Sequence, residues 1–352
     1  MKNQILFAAT ATGLLLSCLS HADIPRTSDG KPDLTGTYDI ATITPLQRPE
    51  ALGEKLTLTE AEGLQAAAQV AAFKAAADAA SDPNREAPPA GGDGSAGPAG
   101  NVGGYNSFWI DFGDTAIKIN GEYRTSIITD PPNGRQPEMT PLAGMKMAKL
   151  FGQVLHENKG DAWWVDQAGP GPYDDPELMT LSDRCLIGFG STGGPPMLPT
   201  FYNNLKRIVQ TPDHVLILIE MVHDARIIRL NSTHPDESVR KWLGDSIGWW
   251  EGDTLVVDTT NFPDQPSLYG ASRDLHVVER FQRLDEETLL YSFTVDDPSS
   301  WKAPWSGEYP WPAADTRVYE YACHEGNYAM EGILKGARLL ERELAEGIAG
   351  GN

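Results

Sequence analysis

The sequence predicts a mainly β protein of the α+β class, in which an antiparallel β-meander closes into a barrel with peripheral helices, including one at the C terminus. Roughly seven or eight strand-like runs follow one another between about residues 205 and 322, separated by turn residues, and two or three more lie upstream. They do not alternate with helices, which disfavours a doubly wound parallel sheet. Closure into a barrel would remove the exposed edges of such a meander.

The first 22 residues are predicted to be a secretory signal peptide. Lys2 supplies a positive start, residues 5–16 form an apolar run, and Ser20-His21-Ala22 fits a cleavage site before Asp23. The apolar run is too short to span a bilayer as a stable anchor. We therefore expect a soluble periplasmic or secreted protein without a membrane span. As an alternative, Leu15-Leu16-Ser17-Cys18 resembles a lipobox that would leave Cys18 lipidated.

Removal of the signal peptide would leave two cysteines, Cys185 and Cys323. In an oxidising compartment they are predicted to form a disulfide that joins the middle of the chain to the last predicted strand. The alternative is two separate buried thiols. Because there is no CxxC pair, a structural zinc site is not expected, and the sequence predicts no metal and no cofactor.

The formal net charge of −21 argues against nucleic acid and against anionic membrane surfaces as partners. A small-molecule ligand or substrate is the partner that we expect. The sequence leaves the oligomeric state open.

The chain divides into two predicted regions after the signal peptide. Residues 23–104 hold a strand from Thr35 to Thr44, an alanine-rich helix from Leu56 to about Ala80 capped by Thr57 or Thr59, and a flexible Gly/Pro-rich segment. Residues 105–352 are predicted to form a single barrel-like domain. Its helices are expected at residues 141–156 and 328–345, and its long loop at residues 161–199 is typical of segments that cover a site.

Side-chain alternation along the strands supplies candidate catalytic residues. If residues 214–230 form one strand, His223 ends an apolar row near the barrel rim and is a candidate acid or base. The alternative is a packed histidine with a structural hydrogen bond. Asp224 and Arg226 fall on the opposite face, where Arg226 would bind a ligand carboxylate or carbonyl oxygen.

Two carboxylates fall within the next predicted strands. Asp258 lies in the middle of its strand, and Glu279 shares a face with Val277 and Phe281. A carboxylate among apolar side chains has a raised pKa unless it is paired, and a raised pKa suits a general acid. The alternative for Glu279 is an ion pair with an arginine across the sheet.

The last predicted strand, residues 317–322, would place Glu320 and, if extended, His324 on one face as further catalytic candidates. His223, His324 and Glu320 could also assemble a metal site, but their spacing does not require one. Ligand-binding candidates at the barrel lip are Tyr202, Asn203 and Asn204. Trp249 and Trp305 are candidates for contacts with a flat or apolar ligand.

Several motifs resemble those of a broad family of uncharacterised secreted bacterial proteins. They are DPPNGR, FYNNLKRIVQTPDHV, EMVHDARII, GDSIGWWEGDTLVVDTTNF, LHVVERF, TVDDP and YEYACHEGNY. The resemblance covers about Tyr105 to Glu343 and implies export, but it assigns no catalytic residue. The likeness to a lipocalin-like barrel is an analogy of fold, from which no function follows.

The sequence leaves three functions open. We expect an exported protein whose barrel binds a small apolar or aromatic molecule. The first alternative is an acid/base enzyme, a cofactor-independent lyase, isomerase or hydrolase that uses a histidine–carboxylate pair inside the barrel. The second is a structural envelope protein, which a barrel filled by side chains would favour.

Overall fold

The computed structural model describes residues 24–78, 84, 110–154, 156 and 160–347. The predicted signal peptide, including Cys18, lies outside the described residues, as does most of the predicted Gly/Pro-rich segment. Within the described ranges the fold is mainly β, with three α-helices: α1 (Glu60–Ala77), α2 (Pro141–Val154) and α3 (Tyr328–Ala345). None of these helices has the length and apolar composition needed to cross a bilayer.

The strands described are β1 (Gly36–Asp39), β2 (Thr57–Leu58), β3 (Lys118–Ile119), β4 (Glu122–Arg124), β5 (Ile128–Asp130), β6 (Leu205–Gln210), β7 (His214–Ile219), β8 (Ala225–Leu230), β9 (Asp245–Glu251), β10 (Thr254–Thr260), β11 (His276–Arg283), β12 (Thr288–Asp296) and β13 (Trp305–Pro312). Ten of them form one curled sheet in the order β1-β6-β7-β8-β9-β10-β11-β12-β13-β5. The remaining three form a small sheet in the order β2-β4-β3.

The large sheet is a curled half-barrel, so the predicted closed barrel is wrong. Its two edge strands, β1 and β5, are not paired with each other. The short β5 occupies the free edge of β13. β1 meets the segment directly after β13 through an isolated bridge between Tyr38 and Ala313 and a hydrogen bond from the Ala314 N–H to the Thr37 carbonyl (2.8 Å).

The predicted meander also contains one parallel step. β8 and β9 pair in parallel, with Ile228 opposite Ser246 and Leu230 opposite Gly248. The other strand pairs of the large sheet are antiparallel. A parallel pair needs a crossover connection, and residues 231–244 provide it.

The predicted long strand through residues 214–230 is in fact a hairpin. β7 ends at Ile219, and a turn that includes Val222 and His223 at positive φ (57° and 43°) leads into β8. The turn carries His223 out of the apolar row of β7. The predicted strand at residues 317–322 is also wrong, because that segment has no strand structure.

Aromatic side chains fill the concave side of the half-barrel. The fully buried ones include Tyr38, Phe281, Tyr291, Tyr309, Trp301, Trp305 and Trp311. Residues 191–198 pack onto this face: the Tyr291 hydroxyl accepts a hydrogen bond from the Met197 N–H (2.9 Å), and the Tyr309 hydroxyl donates one to the Met197 carbonyl (2.8 Å). Most of the hydrophobic core therefore lies inside the curl of the sheet.

The helices begin close to the predicted positions. Thr59 caps α1, with a capping box in which the Glu62 side chain reaches back to the Thr59 N–H. α1 packs on the small sheet, where a Cβ at Gly63 would lie only 2.2 Å from the Tyr123 ring. α3 occupies the predicted residues 328–345 and packs on Trp164 through Ala337.

The predicted disulfide is confirmed. Cys185 and Cys323 are bonded, with their Cα atoms 5.7 Å apart and a sequence separation of 138 residues. The bond attaches the loop before β6 to the segment that leads into α3. A disulfide of this kind is consistent with an oxidising compartment such as the periplasm or the extracellular space.

Candidate functional site

Glu279 and Arg226, predicted as catalytic and ligand-binding residues, meet inside the half-barrel. Arg226 Nη1 lies 2.9 Å from Glu279 Oε1, and Arg226 Nη2 lies 2.6 Å from Oε2. Both side chains are almost completely buried. Glu279 thus forms an ion pair with an arginine across the sheet, which is the alternative that the sequence left open.

Three hydroxyl groups form further hydrogen bonds with this buried ion pair. Tyr291 donates a hydrogen bond to Glu279 Oε1 (2.8 Å), and Arg226 Nη2 donates to the hydroxyls of Ser246 (3.2 Å) and Thr259 (3.4 Å). Burial tends to lower the pKa of Arg226, but the charge and hydrogen bonds of Glu279 outweigh it, so the pKa is raised. Arg226 Nε has no partner among the described residues. With its charges paired and surrounded by side chains, this arrangement fits a structural role.

Asp258, also predicted as catalytic, lies on the outer face of the sheet in a chain of ion pairs. Its Oδ2 is 2.7 Å from His276 Nε2, and its Oδ1 is 2.8 Å from His234 Nε2. His234 Nδ1 continues to Asp245 Oδ1 at 3.0 Å. Both nitrogens of His234 therefore lie within hydrogen-bond distance of a carboxylate oxygen.

Two cationic side chains bind Asp245, the last residue of this outer-face network of His276, Asp258, His234 and Asp245. Asp245, whose side chain is fully buried, accepts two hydrogen bonds from Arg229 (2.8 Å each) and one from Lys241 (2.6 Å). The hydrogen bond from Arg229 holds the pKa of Asp245 far below its usual range, despite burial. His234, His276 and Asp245 were not among the predicted site residues. Alternation alone could have placed His276 on this face, since Leu275 and Val277 are buried.

The outer-face network predicts a defined pH dependence. The hydrogen bond from Asp258 raises the pKa of His276 above 6.5. Burial opposes ionisation of Asp258, but its two histidine partners prevail and lower its pKa below 3.8. The His276 contribution to stability is present below pH 6.5 and is lost as the pH rises through the folded-state pKa. The Asp258 contribution is present above pH 3.8 and is lost as the pH falls through its folded-state pKa.

We expect Asp258→Asn to lower the pKa of His276, because an amide carries no charge to stabilise the imidazolium. Titration of the His276 ring by NMR measures this change. The matched control is Glu251→Gln, which removes another outer-face carboxylate, the partner of Arg280 (2.9 Å), and should leave His276 unchanged. An unchanged His276 titration in Asp258→Asn would contradict the assignment.

Several other predicted residues gather at one end of the half-barrel, near β6 and the β7–β8 turn. Tyr202 packs against the Phe189 ring, with centroids 5.5 Å apart. Asn203 donates a hydrogen bond to Glu220. Asn204 donates to the Asp111 carbonyl (2.7 Å), and its amide therefore ties two loops together.

His223 and Asp224 lie in the turn itself. His223 is exposed, and its Nδ1 is 3.0 Å from the Tyr321 carbonyl. Asp224 accepts a hydrogen bond from the Gly188 N–H (3.2 Å), while burial raises its pKa to about 6. These contacts connect the turn to the C-terminal segment and to the loop around Gly188.

Lys206 lies at the centre of this end and was missed by the sequence analysis. It projects from β6 into the interior opposite Tyr38 and Ile219, is fully buried, and its Nζ has no hydrogen-bond partner among the described residues. Burial lowers its pKa to about 7, against the opposing effect of Glu220 and other nearby carboxylates. Alternation along LKRIVQ could not show whether Lys206 or Arg207 faces inward.

The remaining predicted residues do not join a common site. Glu320 and His324 are exposed on the segment after β13, which is not a strand. Trp249 lies on the outer sheet face and donates to Glu251 Oε1 (3.1 Å). Trp305 is fully buried in the core. Among the described residues, no cluster of three or more His, Cys, Asp or Glu side chains is arranged to hold a metal ion.

A cleft of about 540 Å³ lies beside α2, outside the half-barrel. One wall is α2, and the others are residues 170–172, 178–182, 187–189 and 264–271. Its lining is mainly apolar and includes Leu150, Leu181 and Phe189. Leu178 and Tyr269 also line it, although 43% and 52% of these residues remain exposed. Volumes of a few hundred Å³ and apolar walls are typical of small-molecule sites.

The back wall of this cleft is fixed by the rest of the fold. Gly188 lines the cleft and donates its N–H to Asp224, while the neighbouring Cys185 is held by the disulfide. The Phe189 ring contacts Tyr202 on its other side. Of the residues predicted at the barrel lip, Tyr202 therefore packs against the cleft wall. A scan against family models and searches of curated proteins and of solved structures each found no match to this chain.

Proposed function

We propose that the protein binds a small, largely apolar molecule in the cleft beside α2. The observation that carries this proposal is a preformed concave volume whose apolar lining stays partly exposed to solvent. Exposed apolar surface of this kind is costly in water and commonly marks a binding site. The site differs from the expected one, because aromatic side chains already fill the concave side of the sheet.

Binding is favoured over acid/base catalysis because the candidate catalytic groups are dispersed. Glu279 is paired inside the fold, Asp258 belongs to the outer-face network, and His324 is exposed on the C-terminal segment. A structural envelope protein is the second candidate, which the filled interior of the sheet favours. The cleft distinguishes the two proposals, because a purely structural protein does not require an open apolar cleft.

Export to an oxidising compartment completes the proposal. The N-terminal sequence pattern and the Cys185–Cys323 bond support it. The motif resemblance to secreted bacterial proteins points the same way.

The cleft proposal is tested with N-phenyl-1-naphthylamine, an uncharged aromatic probe whose fluorescence rises in apolar sites. We expect saturable binding to the wild type. Leu150→Trp and Leu181→Trp, which fill the cleft from opposite walls, should each weaken binding at least about tenfold, because the added ring takes the volume of the probe. Fluorescence titration measures the Kd.

The matched control is Leu142→Trp, on the same helix but exposed and outside the cleft lining. It should bind the probe like the wild type. Circular dichroism and urea unfolding show whether each variant is folded. Two folded cleft variants with wild-type affinity, or a wild type that does not bind, would overturn the proposal.

A further inference from the structure

Two lysines at the cleft have no anionic partner among the described residues. Lys146 and Lys149 are three residues apart on α2, so they project from the same side of the helix, and both line the cleft. Both are exposed. Neither has an ion pair or hydrogen bond with any described residue, whereas the exposed Lys302, for example, is paired with Glu138.

The described lining of the cleft offers these lysines no unpaired carboxylate. Asp264 is the carboxylate in the cleft lining, and its Oδ1 is already 3.1 Å from Arg273 Nε. The polar groups contributed by Thr180 and Ser182 are uncharged. The cleft therefore has a mainly apolar lining and two lysines on its α2 side.

The two lysines at the cleft contrast with the negative net charge of the whole chain. The formal net charge is −21, so most of the surface repels anions. Two unpaired ammonium groups beside an apolar cleft give a local field of the opposite sign, which favours an anionic group at that position.

We propose that the ligand of this cleft is an amphipathic anion, with an apolar or aromatic body and one carboxylate, sulfonate or phosphate group. The body lies against Leu150, Leu181 and Phe189, and the anionic group binds Lys146 and Lys149. This inference rests on the proposed binding function and adds the chemical class of the ligand to it.

A pair of probes isolates the anionic group. 8-Anilinonaphthalene-1-sulfonate carries the same aromatic body as N-phenyl-1-naphthylamine together with one sulfonate. We expect the double variant Lys146→Gln/Lys149→Gln to bind the sulfonate probe about tenfold more weakly and the neutral probe within about twofold of the wild type. Raising the salt concentration from about 0.02 M to about 0.5 M should weaken only the sulfonate probe.

The control keeps the change in net charge equal. Lys55→Gln/Lys118→Gln removes two lysines that pair with Glu62 and Glu60 on α1 and that do not line the cleft. It should leave both Kd values unchanged. The inference is overturned if both double variants lose the same affinity for the sulfonate probe, or if neither loses any. Failure of the neutral probe to bind the wild type would instead overturn the proposed function itself.

Discussion

Glu279→Ala is expected to lower the free energy of unfolding by about 3–5 kcal/mol, the cost typical of removing one partner of a buried ion pair. The substitution leaves the Arg226 guanidinium buried without its counter-charge, and its Nε has no hydrogen-bond partner in the described part of the chain. It also removes the acceptor of the Tyr291 hydroxyl and opens a cavity under the aromatic core. Urea unfolding followed by tryptophan fluorescence measures the change.

The control for this prediction is the double variant Arg226→Met/Glu279→Leu. It removes both charges and retains apolar volume, so its stability should lie within about 2 kcal/mol of the wild type or above it. If the double variant were as unstable as Glu279→Ala, volume rather than charge pairing would explain the loss. A Glu279→Ala cost below about 1 kcal/mol would contradict the buried-pair argument.

Cys185→Ser/Cys323→Ser is expected to cost about 3–5 kcal/mol of stability. The disulfide closes a segment with a sequence separation of 138 residues, and a loop of that length restricts the unfolded chain strongly. We also expect weaker binding of N-phenyl-1-naphthylamine, because Cys185 precedes the cleft wall at residues 187–189.

Reduction of the wild type provides the matched comparison. With a reductant present throughout urea unfolding, the wild type should shift to the midpoint of the double serine variant, and the variant should not respond to reductant. A wild-type midpoint that is insensitive to reductant, with thiol titration confirming complete reduction, would contradict this prediction.

The sequence predicted local features better than long-range ones. The limits of α3 and the Thr59 cap of α1 follow from residue preferences within a few positions of each site. The disulfide could also be predicted, because only two cysteines follow residue 22. The alternation of β11 placed Glu279 on an apolar face, and the cost of burying a lone charge made an arginine partner one of two alternatives, without identifying Arg226.

The features that were wrong depend on contacts between distant segments. Barrel closure requires β1 and β5 to pair, and no pattern within either strand determines this. The break after Ile219 arises in a turn where Val222 and His223 adopt positive φ. These residue types do not predict that conformation. The cleft was missed because α2 and two separated loops form it, although the long loop at residues 161–199 was expected to cover a site.

The parallel pairing of β8 with β9 divides the large sheet into two stacks of hairpins. Four strands (β1, β6, β7 and β8) lie on one side and six on the other, and the ladder between them is registered at only three residue pairs. Arg226 on β8 reaches across this junction to Ser246 on β9, Thr259 on β10 and Glu279 on β11. The buried ion pair thus joins the four-strand and six-strand parts of the sheet across this three-pair junction, so that strain on one part is transmitted to the other.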